Sequence, residues 1–426
     1  MKRLNESIIV EIKGREILDS RGEPTLEVEV ILESGDRGIC QVPAGKSKGG
    51  KEVKELRDQD ERYDGKGVKK AVQLLAEIKK RLCGLSATDQ KAIDGILKSE
   101  KERLGGNTTT GISLACAKAA ANFYSLPLYL YLGGKTEKFL PVPLFNLING
   151  GLHAPNNLSI QEFLILPLGA QTFSDALRFG ADVYRELKKI LKKRGILTGV
   201  GDEGGFCPNL ESNEEALKLL KAAIEDADYE PGVDIFLGLD CAASNFYKKE
   251  ENRYYLQPEG KKVTSEELIK IYEDWIKRYS IISIEDGLAE EDWSGWEKLT
   301  KTLGDKVQLV GDDIFATNIS FLKKGIEKGV ANAVLIKPNQ VGTLTETLEC
   351  IGLAQRSHYQ TVISHRSGET EDTFISHLAF ATNSFQIKAG APSRGERICK
   401  YNELLRIEEQ TKADYAGNFL WKRKVS

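Results

Sequence analysis

The sequence predicts an α/β protein with a small N-terminal α+β domain, residues 1–135, and a larger C-terminal (β/α)8-type barrel, residues 138–426. Three observations support this fold class. Alternating apolar and polar residues near the amino terminus indicate half-buried strands, a helical period follows them, and short apolar runs then recur along the rest of the chain. Strands followed by helices are typical of an α+β unit, whereas strands that alternate with helices build a parallel sheet or a barrel.

The N-terminal domain is predicted from three strands and a helical region. The strands are expected where apolar residues alternate, at residues 8–12, 25–32 and 38–42. A turn is expected over 19–24, because this stretch combines aspartate, serine, glycine and proline. From 66 to 128 the apolar side chains recur with helical spacing. Residues 133–136, rich in glycine, are interpreted as a linker.

The barrel is predicted from five apolar runs that each stop at a charged or polar side chain. The runs cover residues 235–239, 281–284, 307–311, 333–336 and 361–364. The side chains that follow them are Asp240, Glu285, Asp312, Lys337 and His365. The last three intervals have the length of one strand and one helix. Because catalytic groups in such barrels stand at the carboxyl ends of the strands, these positions form the candidate site.

The charge balance excludes a dedicated nucleic-acid binder. The 426 residues include 60 Lys and Arg against 63 Asp and Glu, a net charge of −3, without the basic excess that such binders carry. No apolar run approaches the ~20 residues that span a membrane, and no apolar stretch follows the basic pair Lys2-Arg3. We therefore expect a protein without a membrane span that works in the cytoplasm.

Zinc and nucleotide sites are not expected. The seven cysteines include no Cys-x-x-Cys pair, and we interpret them as reduced thiols of a cytoplasmic protein. Residues 199–204 satisfy G-x-G-x-x-G, but a lysine-rich helical stretch precedes them instead of a strand. Residues 45–47 resemble the end of a P-loop, yet Cys40 stands where its first glycine should be.

Three acids at neighbouring strand ends, Asp240, Glu285 and Asp312, predict a metal site. A single acid in such a position often caps a helix or forms an ion pair. Three carboxylates that point into one barrel mouth repel one another unless a cation lies between them. Because carboxylate oxygens suit Mg²⁺, we expect these three side chains to hold one Mg²⁺ ion.

Lys337 is the candidate general base. A lysine is usually a solvent-exposed side chain, but this one follows a Val-Leu-Ile run that should be buried. Loss of water and neighbouring cations lower the pKa of a lysine toward ~7–8, where the amine can accept a proton. We therefore expect the pKa of Lys337 to be lowered.

Anion-binding and acidic groups complete the pattern. Arg366 and Ser367 combine a guanidinium group with a hydroxyl, which suits a phosphate or a carboxylate, although Arg366 could also form a surface salt bridge. Glu203 stands among glycines that let the backbone approach a ligand closely, and Glu162 is a further candidate, although a single glutamate could be structural. A lysine facing glutamates across a metal site fits proton abstraction beside a carboxylate, followed by loss of a leaving group.

Sequence blocks along almost the whole chain, from residues 15–22 to residues 400–409, resemble the enolase family. The most specific blocks are 201–205, 239–244, 283–286, 310–313, 336–337, 339–340 and 364–372. The resemblance implies a C-terminal barrel capped by the N-terminal domain. It also implies a hydro-lyase of glycolysis and gluconeogenesis, which reversibly dehydrates 2-phospho-D-glycerate to phosphoenolpyruvate with Mg²⁺, and a homodimer or octamer.

The resemblance further implies roles for individual residues. The first Mg²⁺ would be held by Asp240, Glu285 and Asp312. Lys337 would remove the proton from the carbon that bears the phosphate, and Glu203, helped by Glu162, would protonate the leaving hydroxyl. The implied substrate contacts are His153, Gln161, Glu162, His365, Arg366, Ser367 and Lys388.

The mobile loop expected near residues 43–50 departs from the family pattern. It reads Ala44-Gly45-Lys46-Ser47-Lys48-Gly49 where Ser-Gly-Ala-Ser-Thr-Gly is usual. In the family the first serine helps to bind a second Mg²⁺ through its hydroxyl and carbonyl, and Ala44 retains only the carbonyl. Lys46 and Lys48 add positive charge nearby. We therefore expect the second Mg²⁺ to bind more weakly while activity survives.

Two other functions stay open at this point. An enzyme of the wider enolase superfamily that acts on another carboxylate would share the metal site and the base, although Lys388 and the Arg366–Ser367 pair favour a phosphorylated substrate. A catalytically silent paralogue that serves as a binding protein is supported only by the altered loop. The retention of the expected acids, base and metal ligands argues against it.

Overall fold

The computed structural model describes residues 4–46, 50–417 and 420. The predicted fold class is confirmed within them, because a three-stranded sheet with helices comes first and a closed eight-stranded barrel follows. Lys48, one of the two lysines of the unusual loop, lies outside the described residues. The division of the chain into domains at residues 135–138 stays a prediction.

The first sheet is antiparallel, in the order β1 (Ile9–Leu18), β2 (Pro24–Leu32) and β3 (Arg37–Gln41). The turn before β2 forms because the Asp19 carboxylate accepts hydrogen bonds from the backbone N–H groups of Arg21 and Glu23, at 2.8 and 3.0 Å. β1 extends beyond the predicted strand, since residues 13–18 also pair with β2 although their side chains are exposed or half-buried.

Helices follow this sheet: α1 (Lys69–Leu82), α2 (Gln90–Ser99), α3 (Lys101–Leu104), α4 (Gly106–Phe123) and α5 (Leu128–Gly133). The predicted apolar stripe of α1 is buried, including Leu75, Ile78 and Leu82. α4 is buried along almost its whole length and packs on β2 and β3. The approach is so close that a Cβ atom on Gly38 would lie 2.0 Å from the carbonyl oxygen of Ala115.

The rest of the chain contributes the strands β4 (Val142–Asn149), β5 (Glu162–Leu166), β6 (Phe236–Asp240), β7 (Tyr247–Lys248), β8 (Arg253–Leu256), β9 (Lys261–Val263), β10 (Ile281–Glu285), β11 (Gln308–Gly311), β12 (Ala333–Ile336), β13 (Gln360–Ser364) and β14 (Gln386–Lys388). The barrel is closed by β4–β6 and β10–β14, which include all five strands predicted from apolar runs. The strands β7–β9 form a separate small sheet. Their insertion explains why the first interval between predicted strands is the longest.

β5 runs antiparallel to both of its barrel neighbours, β4 and β6, a reversal that the sequence did not indicate. A parallel connection needs a crossover, usually with a helix, and the segment between β4 and β5 contains only the short 3₁₀ turn Gly151–His153. The amino end of β5 therefore lies at the barrel mouth, where Glu162 pairs with Asp240 of β6.

The later helices are α6 (Phe173–Lys193), α7 (Asn213–Asp226), α8 (Ser265–Tyr279), α9 (Trp293–Leu303), α10 (Ile319–Lys328), α11 (Pro338–Val341), α12 (Leu344–Arg356), α13 (Phe374–Ala381) and α14 (Gly395–Thr411). Side-chain oxygens that accept backbone N–H groups cap six of their amino termini, at Thr172, Ser212, Thr264, Asp292, Asn318 and Thr343. Within the described ranges, no helix has both the length and the apolar composition that a membrane crossing requires.

Two contacts bring the N-terminal region to the barrel mouth. Ala44 and Gly368 exchange backbone hydrogen bonds of 2.8 and 2.9 Å. The buried carboxylate of Asp372 accepts hydrogen bonds from Lys118 Nζ on α4 at 2.7 Å and from the backbone N–H of Gln41 at 2.9 Å. The loop that follows β3 is thereby fixed beside the carboxyl ends of the barrel strands.

Candidate active site

Three acidic side chains from neighbouring strands lie at the barrel mouth. Asp240 ends β6 and Glu285 ends β10, and these two residues are paired in the parallel register. Asp312 follows β11. Their exposed fractions are 4%, 2% and 8%, so all three carboxylates are buried. The structure therefore places the predicted metal ligands on adjacent strand ends.

The ammonium group of Lys388, which ends β14, lies among carboxylates. Its Nζ atom is 2.8 Å from Asp240 Oδ2, 3.0 Å from Glu285 Oε1 and 3.2 Å from Glu162 Oε2. Burial opposes the charged amine, but the three carboxylates outweigh burial and hold the pKa of Lys388 well above its usual value. Lys388 therefore stays charged and offsets part of the negative charge at the mouth.

Glu285 has unused capacity to bind a cation. Its Oε2 atom is buried and accepts no hydrogen bond. Burial, together with the charge of Asp240, raises the pKa of Glu285 well above its usual value, and a bound cation would oppose this effect. A donor set of three carboxylates suits Mg²⁺, so the residues present fit the predicted ion.

The tightest clusters of metal-type ligand atoms differ from the predicted triad. Among the described residues, ligand atoms within 4.8 Å of one another occur in the groups His153, Glu162 and Glu203, and Asp286, Asp312 and Asp313. The carboxylate oxygens of Asp286 already accept the backbone N–H groups of Asp312 and Asp313, at 2.9 Å each. Asp286 therefore orients the end of β11, and the two clusters share only Asp312 with the predicted triad.

The loop residue Ala44 is a poor ligand for a second Mg²⁺. It has no hydroxyl, and its carbonyl oxygen accepts the backbone N–H of Gly368 at 2.9 Å. The next described lysine, Lys46, directs Nζ to Asp202 Oδ2 at 3.1 Å, and its backbone N–H donates to Ser367 Oγ at 2.8 Å. These contacts agree with weak binding of a second ion, which stays a prediction.

Lys337 follows β12, and its Nζ atom lies 2.5 Å from Asp312 Oδ2. The prediction of a lowered pKa was wrong. Burial lowers the pKa of Lys337, and so do the charges of Arg366 and Lys388, but the charge of Asp312 outweighs them and the pKa is raised. The apolar run before Lys337 is buried as the sequence indicated, and the lysine itself is half-buried, but the sequence could not show that a carboxylate would lie beside it.

Glu162 and Glu203 form a buried pair of carboxyl groups beside His153. His153 Nδ1 lies 3.5 Å from Glu162 Oε1 and 3.3 Å from Glu203 Oε1. Burial raises the pKa of Glu162 well above its usual value, and the charge of Glu203 adds to this effect. Burial acts on Glu203 too, but its contacts with His365 and His153 and the charge of Arg397 outweigh it, so the pKa of Glu203 lies well below its usual value. Of the two carboxyl groups, Glu162 therefore holds a proton more readily, although the predicted acid is Glu203.

The glycines around Glu203 are required by close packing against the protein itself, whereas their predicted role in approaching a ligand stays a prediction. A Cβ atom on Gly201 would lie 2.6 Å from the carbonyl oxygen of His153. The carboxylate of Glu203 is also held directly, because Asn146 Nδ2 donates to its Oε2 atom at 2.9 Å. Tight backbone contact and this hydrogen bond together fix the position of the carboxylate.

The guanidinium group of Arg366 is buried, with an exposed fraction of 4%, which excludes the surface salt bridge. It contacts both oxygens of Glu52, with Nη1 to Oε2 at 2.8 Å and Nη2 to Oε1 at 3.1 Å. Nη1 also donates to Asn339 Oδ1 at 3.1 Å. The predicted anion clamp is therefore held by an acid from the segment that follows the unusual loop.

The site residues converge on one small cavity of about 20 Å³. It is lined by Gly45, His153, Gln161, Glu162, Glu203, Asp240, Asp312, Lys337, Ser364, His365, Arg366, Ser367 and Lys388. Every residue predicted for the site lines this cavity except Glu285, which contacts Lys388 beside it. The arrangement brings a lysine amine, two glutamate carboxyl groups and a guanidinium group to the same space.

Three residues of the site were missed by the sequence analysis. Glu52 is one acid within a run of charged residues, and Asn146 is a polar residue inside an apolar strand. Arg397, whose guanidinium group contacts His365 Nδ1 at 2.6 Å, lies on α14 far along the chain. Asn146 gave a signal, since a buried amide in a strand needs a partner. The contacts of Glu52 and Arg397 depend on the tertiary structure and left no local pattern.

The fold and the site together define a barrel enzyme whose charged pocket lies at the carboxyl ends of the strands and is capped by an N-terminal α+β region. Residues 9–132 match the family model described as the enolase N-terminal domain, and residues 137–424 match the one described as the enolase C-terminal TIM barrel domain. The two matches cover nearly the whole chain. The chain therefore belongs to the enolase family.

Proposed function

We propose that this chain catalyses the reversible, Mg²⁺-dependent dehydration of 2-phospho-D-glycerate to phosphoenolpyruvate. The observation that carries the proposal is the shared cavity, which is lined by Lys337, the carboxyl pair Glu162 and Glu203, and Arg366. Membership of the enolase family supports the same reaction.

Lys337 is the proposed base. Its amine accepts the proton from the carbon that bears the phosphate, and the electron pair left behind forms the new double bond. The amine must be neutral for this step. The charges of Arg366 and Lys388 favour the neutral form and the charge of Asp312 opposes it, so a cation held by Asp312 would favour the step. Mg²⁺ held by Asp240, Glu285 and Asp312 would offset the negative charge of these three carboxylates. It would also offset the second negative charge that the substrate carboxylate gains when the proton leaves.

Glu162 and Glu203 are the proposed acid. The bond from the neighbouring carbon to its hydroxyl breaks as the double bond forms. The hydroxyl leaves as water with the proton that the pair holds. His153, which lies within 3.5 Å of both carboxylates, keeps the pair in position. Lys388 offsets the charge that develops on the substrate carboxylate.

Arg366 and Ser367 are the proposed phosphate contacts, with Gln161 and His365 as further members of the pocket. The paired contact of Arg366 with Glu52 is the geometry in which a guanidinium group also binds phosphate. Binding of a phosphate therefore competes with Glu52 for the same donors. This competition couples substrate binding to the segment after the unusual loop.

The first experiment follows the absorbance of the phosphoenolpyruvate double bond after 2-phosphoglycerate is added. We expect product with Mg²⁺, none with a chelator, and a fall of at least about 10³-fold in kcat for Lys337→Ala, because that variant lacks the base. Lys189→Ala, which removes an exposed lysine, is the matched control and should leave the rate unchanged.

Absence of product from the folded protein at saturating Mg²⁺ would contradict the proposal. If the protein instead exchanges the proton on the carbon beside the carboxylate of an unphosphorylated substrate, an enzyme of the wider superfamily would be favoured. Absence of any exchange would favour a silent binding protein.

We further propose, from the family resemblance, that the protein assembles as a homodimer or octamer and works in the cytoplasm. All seven cysteines are free thiols, which agrees with a reducing compartment. Light scattering on the purified protein measures the assembly directly, and a monomer at micromolar concentration would contradict it.

A further inference from the structure

Arg397 is a fully buried arginine at the start of α14, with an exposed fraction of 0%. Its guanidinium group binds two segments of the site at once. Nη1 lies 2.6 Å from His365 Nδ1 and donates to the carbonyl oxygen of Arg366 at 2.7 Å. Nη2 donates to the carbonyl oxygens of Ser367 at 2.6 Å and Asp202 at 3.0 Å. The side chain therefore joins the anion clamp to the loop that carries the proposed acid.

We propose that Arg397 is a positioning residue that fixes the tautomer of His365. A guanidinium group offers only N–H donors and does not lose its proton in proteins. The His365 Nδ1 atom that faces it must therefore be the acceptor and carry no proton. The neutral imidazole then has its proton on Nε2, which lies 3.4 Å from Glu203 Oε2. His365 thereby presents an N–H donor to the carboxylate of the proposed acid pair.

A neutral His365 agrees with its surroundings. Burial lowers the pKa of His365 to about 4, because the charged imidazolium would lose its hydration. A second proton on Nδ1 would also point at an N–H group of Arg397. His365 is therefore a fixed hydrogen-bond donor at neutral pH and does not act as an acid or base itself.

The role of Arg397 differs from that of Lys400, the buried cation one turn further along α14. Lys400 Nζ forms a close ion pair with Glu369 Oε2 at 2.8 Å. In the part of the chain that the structure describes, the ion pair of Arg397 is the longer one to Glu396, at 3.5 Å from Nε. Gly390, with a φ of +91°, makes room for the arginine, since a Cβ atom there would lie 2.7 Å from Arg397 Cδ. Because the ion pair of Arg397 is long, the charge of its buried guanidinium group acts mainly on the groups to which it donates hydrogen bonds.

The tautomer can be observed without any variant of Arg397. The chain has four histidines, so selective ¹⁵N-histidine labelling gives a simple NMR spectrum, and loss of one set of signals in His365→Asn assigns His365. We expect a protonated Nε2 and an unprotonated Nδ1 at neutral pH. A proton on Nδ1, on both nitrogens or exchanging between them would overturn the inference.

Two charge-preserving variants then test the link to catalysis, which rests on the proposed function. Arg397→Lys keeps the charge but loses the planar donor geometry. We expect mixed tautomers of His365, a fall in kcat of about 10–100-fold and little change in KM. Lys400→Arg, on the same helix face, should preserve both the tautomer and kcat.

The outcomes separate the inference from the proposed function. Equal losses of kcat in the two variants, with the tautomer of His365 unchanged, would show a merely structural role and overturn the inference. A fixed tautomer in a wild-type protein that does not turn over 2-phosphoglycerate would preserve the inference and contradict the proposed function.

Discussion

At the scale of single residues, Gly45 determines whether the Arg366 side chain can adopt its position. A Cβ atom on Gly45 would lie 1.8 Å from Arg366 Nη2, so any side chain must displace the guanidinium group. We expect Gly45→Ala to lower kcat/KM for 2-phosphoglycerate by about 10–100-fold, mainly through KM, because the phosphate contact is displaced. Steady-state kinetics measure this effect.

The matched control is Gly50→Ala in the same loop. A Cβ atom on Gly50 meets nothing within 4 Å, so this variant should keep the kinetics of the wild type. Equal losses of kcat/KM in both variants would indicate that the substitutions act through the flexibility of the loop. The contact with Arg366 would then not explain the effect of Gly45→Ala.

The sequence predicted the positions of charged residues correctly where they end or follow a strand, and their roles stay predictions. Asp240, Glu285 and Lys337 could be located because an apolar run that stops at a charge marks the barrel mouth. The protonation states could not be predicted, since the pKa of Lys337 depends on the position of Asp312 in space. Glu52 was missed for the same reason: its partner Arg366 is distant in the sequence.

At the scale of elements, Glu214 joins the first turn of α7 to the last turn of α8. Its Oε1 atom accepts hydrogen bonds from Arg278 Nη1 and from the Tyr279 hydroxyl, both at 2.6 Å. The contact with Arg278, against a smaller opposing effect of burial, lowers the pKa of Glu214 to about 2. The folded state therefore favours the carboxylate.

Because this pKa is lowered on folding, the stabilisation is present above the pKa of the unfolded chain and is lost as the pH falls toward 2. We expect Glu214→Gln to lower the free energy of unfolding by about 1 kcal/mol at neutral pH, a modest value since the side chain is 26% exposed. Urea unfolding should show the difference shrinking below about pH 4.

Glu225→Gln, an exposed position on the same helix, is the control for this experiment and should have almost no effect. A difference between Glu214→Gln and wild type that is independent of pH would contradict the argument from the ionised carboxylate.

Elements were predictable where the local pattern was regular. The apolar stripe of α1 and the five barrel runs have clear periods, and the structure has helix and strands there. The direction of β5 and the extra sheet β7–β9 were not predicted. Strand direction depends on how the connecting segment packs, and short strands with polar residues such as Tyr247–Lys248 carry no clear alternation.

At the scale of the whole molecule, Asp372 joins the N-terminal region to the barrel. Its carboxylate contacts Lys118 of α4, and burial is outweighed by this lysine, so the pKa of Asp372 is lowered. We expect Asp372→Asn to lower the free energy of unfolding by about 2 kcal/mol, because the half-buried ammonium group of Lys118 loses its charged partner. Thermal or urea unfolding measures this, with Asp305→Asn, an exposed position, as the control.

A loss below about 1 kcal/mol for Asp372→Asn would contradict this assignment and indicate that other contacts join the two regions.

The architecture that these contacts join was predictable as a whole, because the alternating strands, the helical region and the apolar runs occupy separate stretches of the chain. The contacts themselves, such as that of Asp372 with Lys118, connect distant positions and follow only from the folded structure.

The reversed strand β5 has a consequence for how the site assembles. Because β5 begins at the mouth, one short stretch of chain supplies His153, Gln161 and Glu162 together. Each contact closes a loop, and the entropy cost of closure grows with the logarithm of the loop length. Lys388 reaches Asp240 across 148 positions, whereas His153 meets Glu162 within that single stretch. One corner of the site is therefore nearly local in sequence and has the smallest entropic barrier to formation.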